Sequence, residues 1–352
     1  MENFIIKDEN ALYFEVGYSC DNALFLAFGD EGYFITDGRY ATEAKENIKQ
    51  DKFAVEILIS SDLVRSARKI LKKYEKLQTP KTQVIYNPLE FSVWAFEKLT
   101  KDFLIDFLPK PNFHQKKRII KDKSEIALIH HSQKLNFKAF AKFAQFLSQK
   151  GLHCKESYLH YKAQGYLTQK GAFDLSFNPI VGINKNAAKP HALPSNDKLQ
   201  KGDLLLLDAG LKYKRYCSDM TRTGYFRKNE IHFSKEQKFK NAQLQKIYDI
   251  VLKAQEVAIK GAKPGMLASE VDSLARNVID KAGYGKYFVH STGHGIGLDI
   301  HELPIISQKS QTILQEGMVF SIEPGIYIPD FYGVRIEDLV ALDKNGAHIL
   351  GI

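Results

Sequence analysis

Two stretches of this chain, offset by about 115 residues, repeat one another, and that self-similarity limits the available folds more than any single motif does. LQKGDLLLLDAG (Leu199 to Gly210) aligns without gaps on LQEGMVFSIEPG (Leu314 to Gly325): leucine, glutamine and glycine recur, followed by an apolar run ending in an acid and then Ala-Gly or Pro-Gly. Asp208 falls on Glu323. Upstream, HALP (His191 to Pro194) corresponds to HELP (His301 to Pro304), and each half opens with a long helical pattern, one ending near Gly151 and the other near Gly265. A period of this length is far beyond a solenoid unit and points to an ancestral duplication. Two such halves are expected to pack about a pseudo-twofold axis, where their related acids and histidines meet.

Each repeat runs on into a second strand that carries another acid. In DLLLLDAGLKYKRYCSDMTRTGYF, Asp208 and Asp219 are equidistant from the middle of the polar turn KYKR. A simple antiparallel hairpin would set them opposite one another, about 5 Å apart on one face. Glu323 and Glu337 are likewise symmetric about Asp330 in the turn PDFYG. Like charges facing each other on a sheet are destabilising, and a buried carboxylate is costly unless neutralised, so the layout demands cations. The segment VHSTGHGIGLDIHELP offers His290, His294 and His301 among glycines, and His294 is assigned as the imidazole ligand. Four carboxylates balance two divalent cations, and paired cations that acidify a shared water and polarise a carbonyl are the two-metal pattern of hydrolysis. Oxygen-rich ligation with one histidine suits manganese or magnesium, and less clearly zinc, cobalt or iron.

Competing chemistries find no anchor. GHGIG lacks the spacing and the strand-to-helix context of a nucleotide loop, and neither G-x-S-x-G nor C-x-x-C occurs. The balance of 50 basic against 41 acidic residues gives +9, but the lysines are spread without a dense run or aromatic interleaving, so they read as a solvated surface and no nucleic acid is expected. Three cysteines without paired spacing, an N-terminus with early acids and no long apolar run predict a soluble, cytoplasmic protein without a membrane segment. Ahead of the duplicated region, residues 1 to about 115 alternate strand-like runs (ALFLAF, GYFIT, FAVEILI, TQVIY) with helical patterns, which predicts a small α/β domain. LPKPNFHQKK places the boundary near residue 115, so residues 116–352 form the second domain.

LLLLDAG, SDMTRT, HSTGHGIGLDIHE, SIEPGIY and VRIEDL resemble the metal-site motifs of the creatinase and aminopeptidase P family, over residues from about 118 to 352. ITDGRYATEA (Ile35 to Ala44) resembles the N-terminal domain of creatinase, prolidase and aminopeptidase P. The resemblance implies an α+β fold, a pita-bread C-terminal domain with pseudo-twofold halves after a smaller α/β creatinase-type domain. It implies Asp208 as the bidentate ligand of one metal, Asp219 and Glu337 as bridging carboxylates, and His294 and Glu323 as the remaining ligands of the other. Glu323 is also expected as general base, His191 matches the family's catalytic histidine, and His290 and His301 are expected to line the proline side and hold the developing oxyanion. Arg335 is expected to orient the carboxylates, an ordinary surface arginine being the plainer alternative. The implied reaction is release of the N-terminal residue from peptides with proline second, using two divalent ions with manganese first in preference. Xaa-Pro dipeptidase is the close alternative and a non-enzymatic binding module a more distant one, since such modules lose ligands. An imide bond has no N–H, so a pocket shaped for the ring accepts what a donor-reading site rejects. A homodimer is implied as well, with the N-terminal domain restricting the cleft.

Overall fold

The computed structural model describes residues 2–77 and 82–352, and the chain divides into two compact units, Met1–Arg118 and Ile119–Ile352. The division falls just past the expected residue 115 because the short helix Phe113–Arg118 spans that point. Its first residues belong to the N-terminal core, where Phe113 packs with Phe4 and Phe53 and the His114 ring meets the buried Glu15 carboxylate at 3.1 Å.

The N-terminal unit is built on a six-stranded mixed sheet in the spatial order Ala54–Ile59, Glu31–Thr36, Ala23–Phe28, Phe4–Ile6, Gln83–Tyr86, Asp106–Pro109. Runs such as ALFLAF are apolar at every position because both faces of the sheet are covered. Phe4, Ile6, Phe25 and Ala27 face one core, and Ile5, Leu24 and Leu26 face the other, where Ala67, Leu71 and Tyr74 of the helix Leu63–Leu77 close over them.

In the C-terminal unit the duplication is visible element by element. The first half has helices Lys123–Phe146 and Glu156–Leu167 followed by strands Ile180–Ile183, Leu204–Ala209 and Met220–Tyr225. The second has helices Ala242–Gly261 and Ala268–Lys281 followed by Gly293–Gly295, Val319–Ile322 and Asp338–Asp343, with Glu302–Ile306 and Gly346–Ile349 added at the sheet edges. Isolated bridges at equivalent places, Lys155 with Lys198 and Leu267 with Ile313, tie each second helix to the start of its strand. Gly202 and Gly317, the glycines of the aligned QKG and QEG, both adopt left-handed backbone, at φ +95° and +85°, where a side chain would be strained.

The central strand of the first half explains its four leucines. Leu205, Leu207 and Ala209 point into that half's own core, whereas Leu204 and Leu206 point into the larger core built by the second half. Period-two alternation therefore aims Asp208 at the seam between the halves. No helix among the described residues is long and apolar enough to cross a membrane.

Candidate metal centre

At the seam the two hairpins present their acids, with one register differing from expectation. Glu323 and Glu337 stand opposite one another, since the ladders on either side, Ile322 with Asp338 and Gly325 with Arg335, keep one register. In the first half the turn is tighter than KYKR. Lys214 and Arg215 alone form it, with φ +47° and +72°, so Tyr213 pairs with Tyr216 and Asp208 pairs with Thr221. Asp219 is thus displaced by two residues from the position opposite Asp208, on a diagonal that spans about 7–8 Å rather than about 5 Å. An even displacement preserves the face, so both carboxylates still point to the seam.

There Asp208, Asp219, His294, Glu323 and Glu337 all line one cavity of about 710 Å³, together with His191, His290, His301 and Arg335. Donor atoms of Asp219, His294 and Glu337 lie within 4.8 Å of one another. His294 Nε2 is 3.6 Å from Asp219 Oδ2 and 3.4 Å from Glu323 Oε1. Its Nδ1 donates to the Gly295 carbonyl at 3.0 Å, which leaves Nε2 a lone pair turned toward two carboxylates.

The electrostatics leave this cluster short of positive charge. Burial, and then the charges of Glu337, Asp208 and Glu323, push the Asp219 carboxyl well above its usual range. Burial and the charges of Glu323 and Asp208 do the same to Glu337, and burial pushes Glu323 up to about 8. Burial also lowers His294, so the imidazole is neutral. Asp208 Oδ1, Asp219 Oδ1 and Glu337 Oε1 are buried without a hydrogen-bond partner. Unpaired carboxylate oxygens around a bare imidazole nitrogen fit divalent cations in both number and kind of donor.

Arg335 is far from a surface arginine. Only 3% exposed, it donates from Nη2 to Asp208 Oδ2 at 2.5 Å, from Nη1 to the Tyr327 hydroxyl at 2.6 Å and from Nε to Thr221 Oγ1 at 3.0 Å. The Thr221 hydroxyl in turn donates to Glu337 Oε2 at 2.7 Å. One guanidinium thereby orients an acid from each half. Sequence reasoning missed Thr221 and Tyr327, although alternation carried a signal: Thr221 lies two residues beyond Asp219, and Tyr327 four beyond Glu323.

The histidines differ from one another. His290 Nδ1 donates to the Ser291 carbonyl at 2.7 Å and Nε2 accepts the Tyr327 hydroxyl at 2.8 Å, so in this arrangement neither nitrogen has a hydrogen left for an oxyanion. Burial, then the Arg335 charge, lowers His290 to about 4. His301, with its ring 4.4 Å from that of His294, and His191 are exposed at the cavity and face its space.

The chain matches the model of Metallopeptidase family M24 over residues 127–344. It is 37% identical to an Xaa-Pro dipeptidase of Pyrococcus furiosus across 98% of this chain and 91% of that protein. Among solved structures it superimposes on an Xaa-Pro dipeptidase from Bacillus anthracis with TM-score 0.87 at 30% identity, covering 99% of this chain and 92% of the other. An X-Pro aminopeptidase from Thermotoga maritima matches with TM-score 0.84 at 29% identity, over 100% and 96% of the two chains. The duplicated fold, a carboxylate cluster that calls for divalent ions and this shared sequence make the chain a metal-dependent peptide hydrolase of family M24, within the creatinase and aminopeptidase P group of pita-bread proteins.

Proposed function

We propose that this protein hydrolyses Xaa-Pro dipeptides, with two divalent cations held by Asp208, Asp219, His294, Glu323 and Glu337. The observation that carries this reading is the meeting of these five side chains in one cavity of a chain 37% identical, over nearly its whole length, to an Xaa-Pro dipeptidase. That relation reverses the order expected from the sequence, where release of one residue from longer peptides came first. Aminopeptidase action stays as the second reading because of the likeness to the Thermotoga enzyme.

Bound at this centre, divalent ions supply an acidified water and a polarised scissile carbonyl. The protein's own groups do the rest. Glu323, at the meeting point of the acids, takes the proton of the attacking water and passes it to the proline nitrogen as that bond breaks. Arg335 holds Asp208 directly and Glu337 through Thr221, so the acids keep their places as charge moves. His191 and His301 offer ring N–H groups to the carbonyl oxygen as it becomes negative. The proline ring is met by apolar surface from Ile300, Ile305 and Leu193, which asks for no N–H. Manganese is the preferred ion, with zinc, cobalt or iron as alternatives, and the protein acts as a homodimer.

Comparing kcat/KM for Ala-Pro and for Ala-Pro-Ala, after stripping the metal and reloading with manganese, cobalt or zinc, tests the assignment. Dipeptidase action requires strong preference for Ala-Pro, and equal or better cleavage of the tripeptide would hand the assignment to the aminopeptidase reading. Light scattering checks the dimer.

A further inference from the structure

Residues 288–292 carry His290 and also steady Glu323, whose backbone N–H donates to the Thr292 carbonyl at 2.8 Å. This segment precedes the strand Gly293–Gly295 and lies in no ladder of its own. It is gripped instead by an ion pair on the helix Ala268–Lys281. Asp272, with no exposed surface, and Arg276 stand one turn apart and meet as a fork, Nε to Oδ2 at 2.8 Å and Nη2 to Oδ1 at 2.9 Å. Both then reach across to the segment. Asp272 Oδ1 accepts the Thr292 N–H at 3.1 Å and the Thr292 hydroxyl at 2.8 Å. Arg276 donates to the Phe288 carbonyl at 3.1 Å and the His290 carbonyl at 2.9 Å, while its guanidinium lies 4.1 Å from the centre of the Phe288 ring.

Neither residue lines the cavity, and neither belongs to a metal-site motif. A buried ion pair contributes little net stability over an apolar replacement, so what distinguishes this one is the geometry it imposes on both ends of a short loop. We propose that Asp272 and Arg276 are a positioning pair: by fixing residues 288–292 they set where the His290 ring and the Glu323 backbone stand relative to the acids of the centre. The inference rests on the Xaa-Pro dipeptidase reading for its substrate alone.

Misplacing a reacting group by about 1 Å can cost on the order of 100-fold in rate. Arg276→Met keeps the aliphatic stem and removes both hydrogen bonds that Arg276 makes to the segment, leaving those of Asp272 to Thr292. Arg276→Lys keeps the charge beside Asp272, but one ammonium cannot serve the carboxylate and two carbonyls together. The test follows three quantities in the full chain: deuterium uptake of residues 288–293 in metal-free protein, manganese affinity by calorimetry, and kcat and KM for Ala-Pro. Arg276→Met is expected to exchange faster over 288–293 and to lose roughly 10- to 100-fold in kcat, with the larger change in kcat rather than KM, while manganese affinity weakens by much less than kcat falls, because Glu323 alone of the five ligands is hydrogen-bonded to the segment. Arg276→Lys should fall between it and the parent. Manganese affinity falling in step with kcat, unchanged exchange, or full turnover despite faster exchange would each overturn the proposal. Should Arg276→Met fail to fold, Thr292→Val, which deletes only the hydroxyl bond to Asp272, carries the same test at smaller amplitude. If the parent does not cleave Ala-Pro, the substrate reading fails, and exchange with calorimetry still decides whether this pair holds the segment.

Discussion

A single hydroxyl ties the two halves of the site together. Thr221 accepts from Arg335 and donates to Glu337, so its loss frees one carboxylate and leaves a buried guanidinium N–H unmet. Thr221→Val is expected to weaken divalent-ion binding about 10- to 100-fold, the usual effect of losing a partner that orients a ligand, while Thr221→Ser restores it. Calorimetric titration with manganese checks both. At the same scale, the raised carboxyls predict how metal-free protein responds to pH. Asp219, Glu337 and Glu323 all favour protonated folded forms, so their contribution is complete below the ordinary carboxyl value and declines as pH rises, that of Glu323 being lost through about 8. The melting temperature of chelated protein should therefore fall from pH ~5 to pH ~8, and manganese should raise it more at the upper end. A chelated protein most stable at alkaline pH would contradict this. Glu323→Gln should bind its substrate and abolish turnover.

Among the elements, the hairpin Leu211–Tyr213 to Tyr216–Cys217 shows how far residue patterns reach. Faces were legible in the sequence because apolar and acidic positions alternate, and the Glu323 and Glu337 pairing followed from symmetry about Asp330. Register in the first hairpin was not legible, since Lys214 and Arg215 occupy left-handed backbone without the glycine or asparagine that usually announces a two-residue turn. Their conformation costs about 1–2 kcal/mol per residue, so replacing Lys214-Arg215 by Asn-Gly should stabilise the protein by about 1 kcal/mol or more, read as a rise in melting temperature of about 2–4 °C. Arg335 was legible only as a choice between two roles, because charge alone does not distinguish a buried guanidinium from a solvated one. Tyr327 and Thr221 were hidden for a related reason: a buried hydroxyl acts through partners that sequence spacing does not reveal.

Across the whole molecule, the duplication was legible because the halves retain both a strand pattern and the turn ahead of it, down to the left-handed Gly202 and Gly317. The N-terminal unit has its own cores and its own sensitivity to acid. Burial tends to raise Glu15, but the hydrogen bond from His114 and the charges of Lys117 and Lys52 outweigh it and hold the carboxyl at about 2. Stability from Glu15 is therefore present above the ordinary carboxyl value and disappears as pH falls toward about 2. His114, lowered by burial, opposes folding in the same direction, since acid must charge a ring that the fold keeps neutral. Glu15→Gln should destabilise the N-terminal unit by about 2 kcal/mol at neutral pH and flatten its acid response, measured by hydrogen exchange of residues 9–16 across a pH series.

The proposed donor set is shared out unevenly: Asp208 and Asp219 come from one copy of the duplicated unit, and His294, Glu323 and Glu337 from the other. Neither copy could retain a full complement if they parted, so loading acts as a rivet driven through the join. On that assignment, any excursion that pries the copies apart is expected to shed the ions and silence the enzyme, and the loaded copies are expected to melt as a single body.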